Sequence, residues 1–149
     1  MAEVKYESKI TTSQEKTEDI FQVLSDFRNI ERVKHLIPQD KIQNMEYTQD
    51  SIKIKVDGLG QKITIKIVDA EPCKTIKYAA ENIPINAFFW IQLKYIEPQN
   101  TKIKLTFKGD IPTMFKFMIE KKLQEGLNQA ADMIANMPFK QWINQQPNI

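Results

Sequence analysis

From Pro112 to Met137 the chain carries apolar residues at helical spacing without a break, and this stretch follows a long run of segments that alternate apolar and polar side chains. One long helix after a meander of strands points to a curved sheet gripping the helix, with room for a ligand between them. Phe115, Ile119, Leu123, Gly126, Ala130, Met133, Ile134 and Met137 fall on one broad face of that helix, while Lys121, Gln124, Asn128 and Asp132 fall on the other. The inward stripe narrows in its middle to Gly126 and Ala130. Glycine costs about 1 kcal/mol in a helix interior relative to alanine, so either a close strand or a ligand is expected to need the space at Gly126. Met114, Met118, Met133 and Met137 add flexible side chains that either fill a core or remodel around a ligand. Asp110 ahead of Ile111 and Pro112 reads as an acidic cap with proline in the first turn, and Pro138 reads as the stop.

Upstream, Val4 to Ile10 alternates as a half-buried strand. Thr12 and Glu15 then have the spacing of a capping box before a short helix with Ile20, Phe21 and Leu24 inward. A second short helix runs from Phe27 to Leu36, with Ile30 and Val33 inward, and Pro38 ends it. Six strands follow, at about Lys41 to Tyr47, Ser51 to Asp57, Gln61 to Asp69, Lys74 to Ala80, Ala87 to Ile96 and Thr101 to Lys108. Breaker and polar residues at Gln49 and Asp50, Gly58 to Gly60, Glu71 and Pro72, and Pro98 to Asn100 make antiparallel hairpins the natural connection.

A chain of 149 residues suits one domain that buries a core without disulfides or metals. The expected division is a single domain over residues 1–138 and a short tail over 139–149. Lone Cys73 and lone His35 supply neither an internal disulfide nor a metal-ligand set, and no cofactor motif is present, so no cofactor is expected. The charged start MAEVKYESK has no signal-peptide core, and no run reaches membrane-span length, which predicts a cytoplasmic protein without integral membrane association. With 21 Lys and Arg against 19 Asp and Glu, the net charge of +2 makes no case for nucleic acid.

The order of strand, two short helices, six strands and long helix resembles the helix-grip fold of START lipid-transfer domains, polyketide cyclase-like proteins and Bet v 1-type allergens, the SRPBCC superfamily. Three stretches carry the match locally: VLSDFRN at Val23 to Asn29, VDAEPCKTIKY at Val68 to Tyr78, and LTFKGDIP at Leu105 to Pro112. The resemblance implies an α+β fold: a seven-stranded curved antiparallel sheet, two short helices after strand 1, and one long C-terminal helix that the sheet wraps. It also implies an elongated cavity between sheet and helix that holds a hydrophobic small molecule, such as a lipid, a polyketide or a quinone-like compound.

Candidate cavity residues are Tyr6, Ile65, Tyr78, Phe89, Ile91, Tyr95 and Phe107 on the strands and Phe115, Met118, Ile119, Gly126, Ala130 and Met133 on the long helix. A solid core with the tyrosine hydroxyls at its rim is the competing reading. Two other functions stay open. A polyketide cyclase or dehydratase-like enzyme would need a proton-transfer pair such as His35 with Tyr78. An interaction module resembling the activators of heat-shock ATPases, or a homodimer, would use Phe88, Trp90 or Trp142 as contact surface. The outward strand positions are rich in lysine, which reads as a solvated face protecting the open sheet. The apolar tail residues Phe139, Trp142 and Ile143 are expected to dock, on this chain or a partner, near Phe88 and Trp90.

Overall fold

The computed structural model of the chain describes residues 2–36, 42–56, 62–83 and 85–145. The expected stop at Pro38 and turn at Gly58 to Gly60 lie outside them. The elements are β1 (Ala2–Glu7), β2 (Thr11–Ser13), α1 (Thr17–Leu24), α2 (Ile30–Val33), β3 (Ile42–Tyr47), β4 (Ser51–Val56), β5 (Lys62–Glu71), β6 (Thr75–Glu81), β7 (Ala87–Glu97), β8 (Asn100–Ile111), α3 (Thr113–Ala135) and α4 (Phe139–Asn144). Single 3-10 turns at Phe27–Asn29 and Lys34–Leu36 flank α2, so the second short helix is three joined pieces.

All strands form one antiparallel sheet in the order β1-β8-β7-β6-β5-β4-β3. From β3 to β8 each strand pairs with its sequence neighbour, and β1 crosses over to close on β8. The sheet has eight strands rather than seven because the first strand breaks in two, and β2 also pairs with β8, with Thr11 opposite Ile103. At the break the Ser8 N–H donates to the Leu105 carbonyl (2.8 Å), and the Ser8 hydroxyl accepts the Leu105 N–H (2.9 Å). The Lys9 N–H then turns away to the side-chain oxygen of Asn128 on α3 (2.7 Å).

That junction sets the rotation of α3. The Gln124 amide donates to the Glu7 carbonyl (2.7 Å), the Thr11 hydroxyl donates to the Ala131 carbonyl (2.9 Å), and Lys9 pairs with Asp132 (2.7 Å). With these contacts fixed, Leu127, Ala131 and Ile134 are the buried residues of α3. This corrects the expected stripe, which began on Phe115, a residue 45% exposed. Gly126 is exposed, and no neighbouring atom lies within 4 Å of where a Cβ would stand, so neither a close strand nor an enclosed ligand explains it.

Two cap assignments also change. Thr12 sits in β2 opposite Lys102, and α1 begins after Lys16 with no side-chain cap; Ser13 instead accepts the Glu15 N–H (3.1 Å). Asp110 lies in β8 opposite Glu3, and Pro112 occupies the cap position of α3 without a side-chain bond. In both places ladder pairing with β8 outcompetes the local helix signal.

The core joins inward side chains of β1, β6, β7 and β8 to α1 and the second half of α3, with Ile20, Ile76, Ile103, Leu105 and Phe139 fully buried. Phe139 belongs to α4, which packs on α1. Trp142 meets its ring edge-on at 5.7 Å, and the Lys140 N–H donates to the Glu15 carboxylate (2.9 Å). The tail therefore docks on its own chain at α1. Phe88 and Trp90 lie elsewhere, on the convex face, where the Lys77 ammonium stands 4.6 Å and 5.3 Å from their ring centres. Among the described residues no helix is long and apolar enough to cross a membrane.

Candidate functional site

In a strand successive side chains point to opposite faces, so register identifies the concave wall. Tyr6 lies opposite Phe107, Phe107 opposite Phe89, Phe89 opposite Tyr78, and Tyr78 opposite Ile67. This places four aromatic rings in one row across β1, β8, β7 and β6. Gly109 helps to seat the row: a Cβ there would come within 2.9 Å of the Asn86 carbonyl oxygen and 3.0 Å of the Phe107 ring. Ile63, Ile65, Ile67, Phe89 and Phe107 remain half-buried although they share the core-facing side.

Part of that wall is roofed by the segment after α1, and a pocket of about 250 Å³ lies between them. Val23, Leu24, Phe27, Ile30 and Val33 supply its helical side, and Ile65, Tyr78 and Phe89 its sheet side. Phe27 and Phe89 stand 5.7 Å and 5.8 Å from the Tyr78 ring, so three aromatic rings line the space in sequence.

The polar groups at this pocket are already engaged. The Tyr78 hydroxyl donates to the carbonyl of Leu24 at the end of α1 (2.7 Å), and burial pushes that hydroxyl well above its ordinary pKa. It therefore stays protonated near neutrality. The Asn29 amide donates to the Val23 carbonyl (3.1 Å). Asp26 accepts from the Arg28 backbone N–H (2.9 Å), Nε (3.0 Å) and Nη2 (2.6 Å), and these bonds hold its carboxyl below the usual carboxylate range.

The thirteen cavity candidates separate into distinct places. Ile65, Tyr78 and Phe89 line the pocket. Ile91 is buried in the core, and Phe107 is half-buried beside Phe89. Tyr6 is buried, and its hydroxyl has no hydrogen-bond partner among the described residues. Ile119 and Ala130 pack on the core from α3. Tyr95, Phe115, Met118, Gly126 and Met133 are exposed. His35 is exposed in the turn Lys34–Leu36 and does not line the pocket, so the pair with Tyr78 is not assembled there. The helical lining from Val23 to Val33 was not among the candidates, although the apolar stripe of the short helices was its visible signal.

Solved structures share this architecture across nearly the whole chain. Norcoclaurine synthase from Thalictrum flavum superposes with a TM-score of 0.72 at 10% identity, covering 99% of this chain and 96% of that one. Ara h 8.0201 gives 0.58 at 17% identity, covering 89% and 98% respectively. A START superfamily protein from Mycobacterium smegmatis gives 0.57 at 13% identity, covering 89% and 96%. No protein-family profile and no curated protein matches the chain. The fold is the Bet v 1 and START-like helix grip, and at these identities the likeness defines the fold alone.

Proposed function

We propose that the chain binds an apolar small molecule in the pocket between the α1–α2 segment and strands β5, β6 and β7. The observation that carries this reading is the lining: eight apolar or aromatic residues, with the hydroxyl of Tyr78 and the amide of Asn29 both committed to backbone carbonyls and the Asp26 carboxylate to Arg28. Such a wall rewards removal of apolar surface from water and supplies no group poised for reaction. The volume lies just below the common range of small-molecule sites, about 300–1,000 Å³. It suits a mono- or bicyclic ring or a short acyl chain better than a two-chain lipid. A structure of norcoclaurine synthase on the same fold is a complex with dopamine and hydroxybenzaldehyde, ligands of that size.

The test is uptake of the bicyclic fluorescent probe 1-aminonaphthalene by the wild type and by Ile65→Trp and Val33→Trp, which fill the space from opposite walls. The wild type should bind the probe, and each filled variant should lose at least tenfold in affinity while keeping its melting temperature. Absence of uptake by the wild type, or equal uptake by folded variants, would overturn the assignment.

A further inference from the structure

We propose that the first half of α3 docks on an anionic lipid bilayer, apolar tip first. Met114, Phe115, Phe117 and Met118 are 76%, 45%, 83% and 69% exposed, which puts four large apolar side chains in the first six residues of one helix in contact with solvent. Clustered apolar exposure of this kind marks an interaction surface. At 3.6 residues per turn, Lys116 and Glu120 share the core-facing stripe with Leu123, Leu127, Ala131 and Ile134. In this half of the helix Lys116 and Glu120 therefore follow the inward line, and, although Ile119 packs on the core, Met114, Phe115, Phe117 and Met118 face out. Their exposure is a property of the sequence as well as of the packing.

The charge pattern selects the occupant. Over Thr113 to Leu123 three lysines, Lys116, Lys121 and Lys122, stand against one glutamate, Glu120. Lys121 and Lys122 follow Met118, the last residue of the apolar tip, by about 5–6 Å along the axis at 1.5 Å per residue. An inserted tip would thus bring both ammonium groups to the phosphate level. Farther along, Glu125 and Asp132 are exposed, so the basic character is confined to the end that carries the apolar residues. A symmetric second copy is the poorer fit, because it would gather Lys121 and Lys122 of both copies into one contact that brings only the two Glu120 carboxylates to balance them. This surface does not include the pocket residues, and the proposal does not depend on the pocket holding a ligand.

The experiment is co-sedimentation of the full chain with empty vesicles, either phosphatidylcholine alone or phosphatidylcholine with an equal part of phosphatidylglycerol. The wild type should sediment with the mixed vesicles and bind the neutral ones at least tenfold more weakly. Phe117→Ser combined with Met118→Ser should lose binding to the mixed vesicles at an unchanged melting temperature. Lys121→Glu combined with Lys122→Glu should reduce binding to the mixed vesicles to the level of the neutral ones. The proposal is overturned if the wild type stays in the supernatant, or if the serine variant sediments like the wild type. It is equally overturned if gel filtration shows a dimer that the serine variant converts to monomer, since a second copy would then cover the face.

Discussion

Replacing Tyr78 with phenylalanine separates a structural role for its hydroxyl from a role on ligand. The hydroxyl donates 2.7 Å to the carbonyl of Leu24, the last residue of α1. Carbonyls in the final turn of a helix have no partner within the helix. The variant loses one hydrogen bond, worth about 0.5–1.5 kcal/mol net, and leaves a partly enclosed acceptor unpaired, for a total of about 1–3 kcal/mol. The ring stays, so contacts with Phe27 and Phe89 persist. We expect the melting temperature to fall by roughly 3–10 °C, with an unchanged denaturant slope and with probe uptake retained. The pH dependence has a definite sign. The hydroxyl's folded pKa is raised by burial, so its contribution is complete below the ordinary tyrosine value near 10 and is lost as pH rises beyond it. The gap between wild type and variant should therefore be constant from neutrality to about pH 9 and close at higher pH. A variant as stable as the wild type would refute the tie to α1. If that variant also lost uptake, the hydroxyl would belong to the ligand.

Four further outcomes follow, three from single substitutions and one from a triple one. Phe139→Ala should cost about 3–5 kcal/mol, measured by denaturant unfolding, because the ring is fully buried and anchors α4 to α1; a cost below 1 kcal/mol would show the tail to be idle. Gly126→Ala should stabilise by about 1 kcal/mol, since the new methyl meets no neighbouring atom and the helix gains propensity; a lower melting temperature would contradict the exposed placement. Asp26→Asn should be less stable than the wild type at neutral pH, with the difference shrinking as acid protonates the wild-type carboxyl: Arg28 lowers that folded pKa, so the contribution is present above the ordinary value and lost below it. A difference that persists at pH 2 would assign the effect to something other than charge. Neutralising Lys102, Lys104 and Lys108 should leave no nucleic-acid affinity to lose, because Lys104 and Lys108 already pair with Glu7 and Glu3 and Lys102 donates to Thr12; steeply salt-dependent RNA or DNA binding by the wild type would refute this.

Much of the fold was legible because each strand states its face twice, once by alternation and once by its partner. Ile76, Tyr78, Phe89, Ile91, Ile103 and Leu105 all take the inward positions that period two assigns them. The break at Ser8 was not legible, since a serine can sit in a strand as well as end one, and only its exchange of bonds with Leu105 shows which it does. The stripe of α3 was legible at Ile119, Leu123, Ala130 and Ile134, which pack on the core, and failed at Phe115, Gly126 and Met133 for a related reason. Gln124 and Asn128 read as solvent-facing residues, yet they bond the backbone of Glu7 and Lys9. A polar side chain that satisfies a strand's free backbone group is indistinguishable in sequence from one that meets water. Once those two anchors are placed, Leu127 and Ala131 turn inward and Gly126 turns out.

The same rotation explains why this pocket lies under the short helices. The contacts from Gln124 to Asp132 fix the second half of α3 over β1 and β2, at one edge of the sheet. Strands β5 to β7, farther along the sheet, are left to the turn Phe27–Asn29 and α2 for cover. Those elements are short and present Val23, Phe27, Ile30 and Val33 at their inner side, too few residues to fill the concavity, so Ile65 and Phe89 keep accessible surface. The first half of α3 contributes no residue to that lining and turns its methionines and phenylalanines outward. The proposed ligand site and the proposed docking surface therefore draw on disjoint side chains. Ile65→Trp should abolish probe uptake without touching vesicle binding, and Phe117→Ser with Met118→Ser should do the reverse. A variant of either kind that lost both activities while remaining folded would show that the helix end and the pocket act as one element.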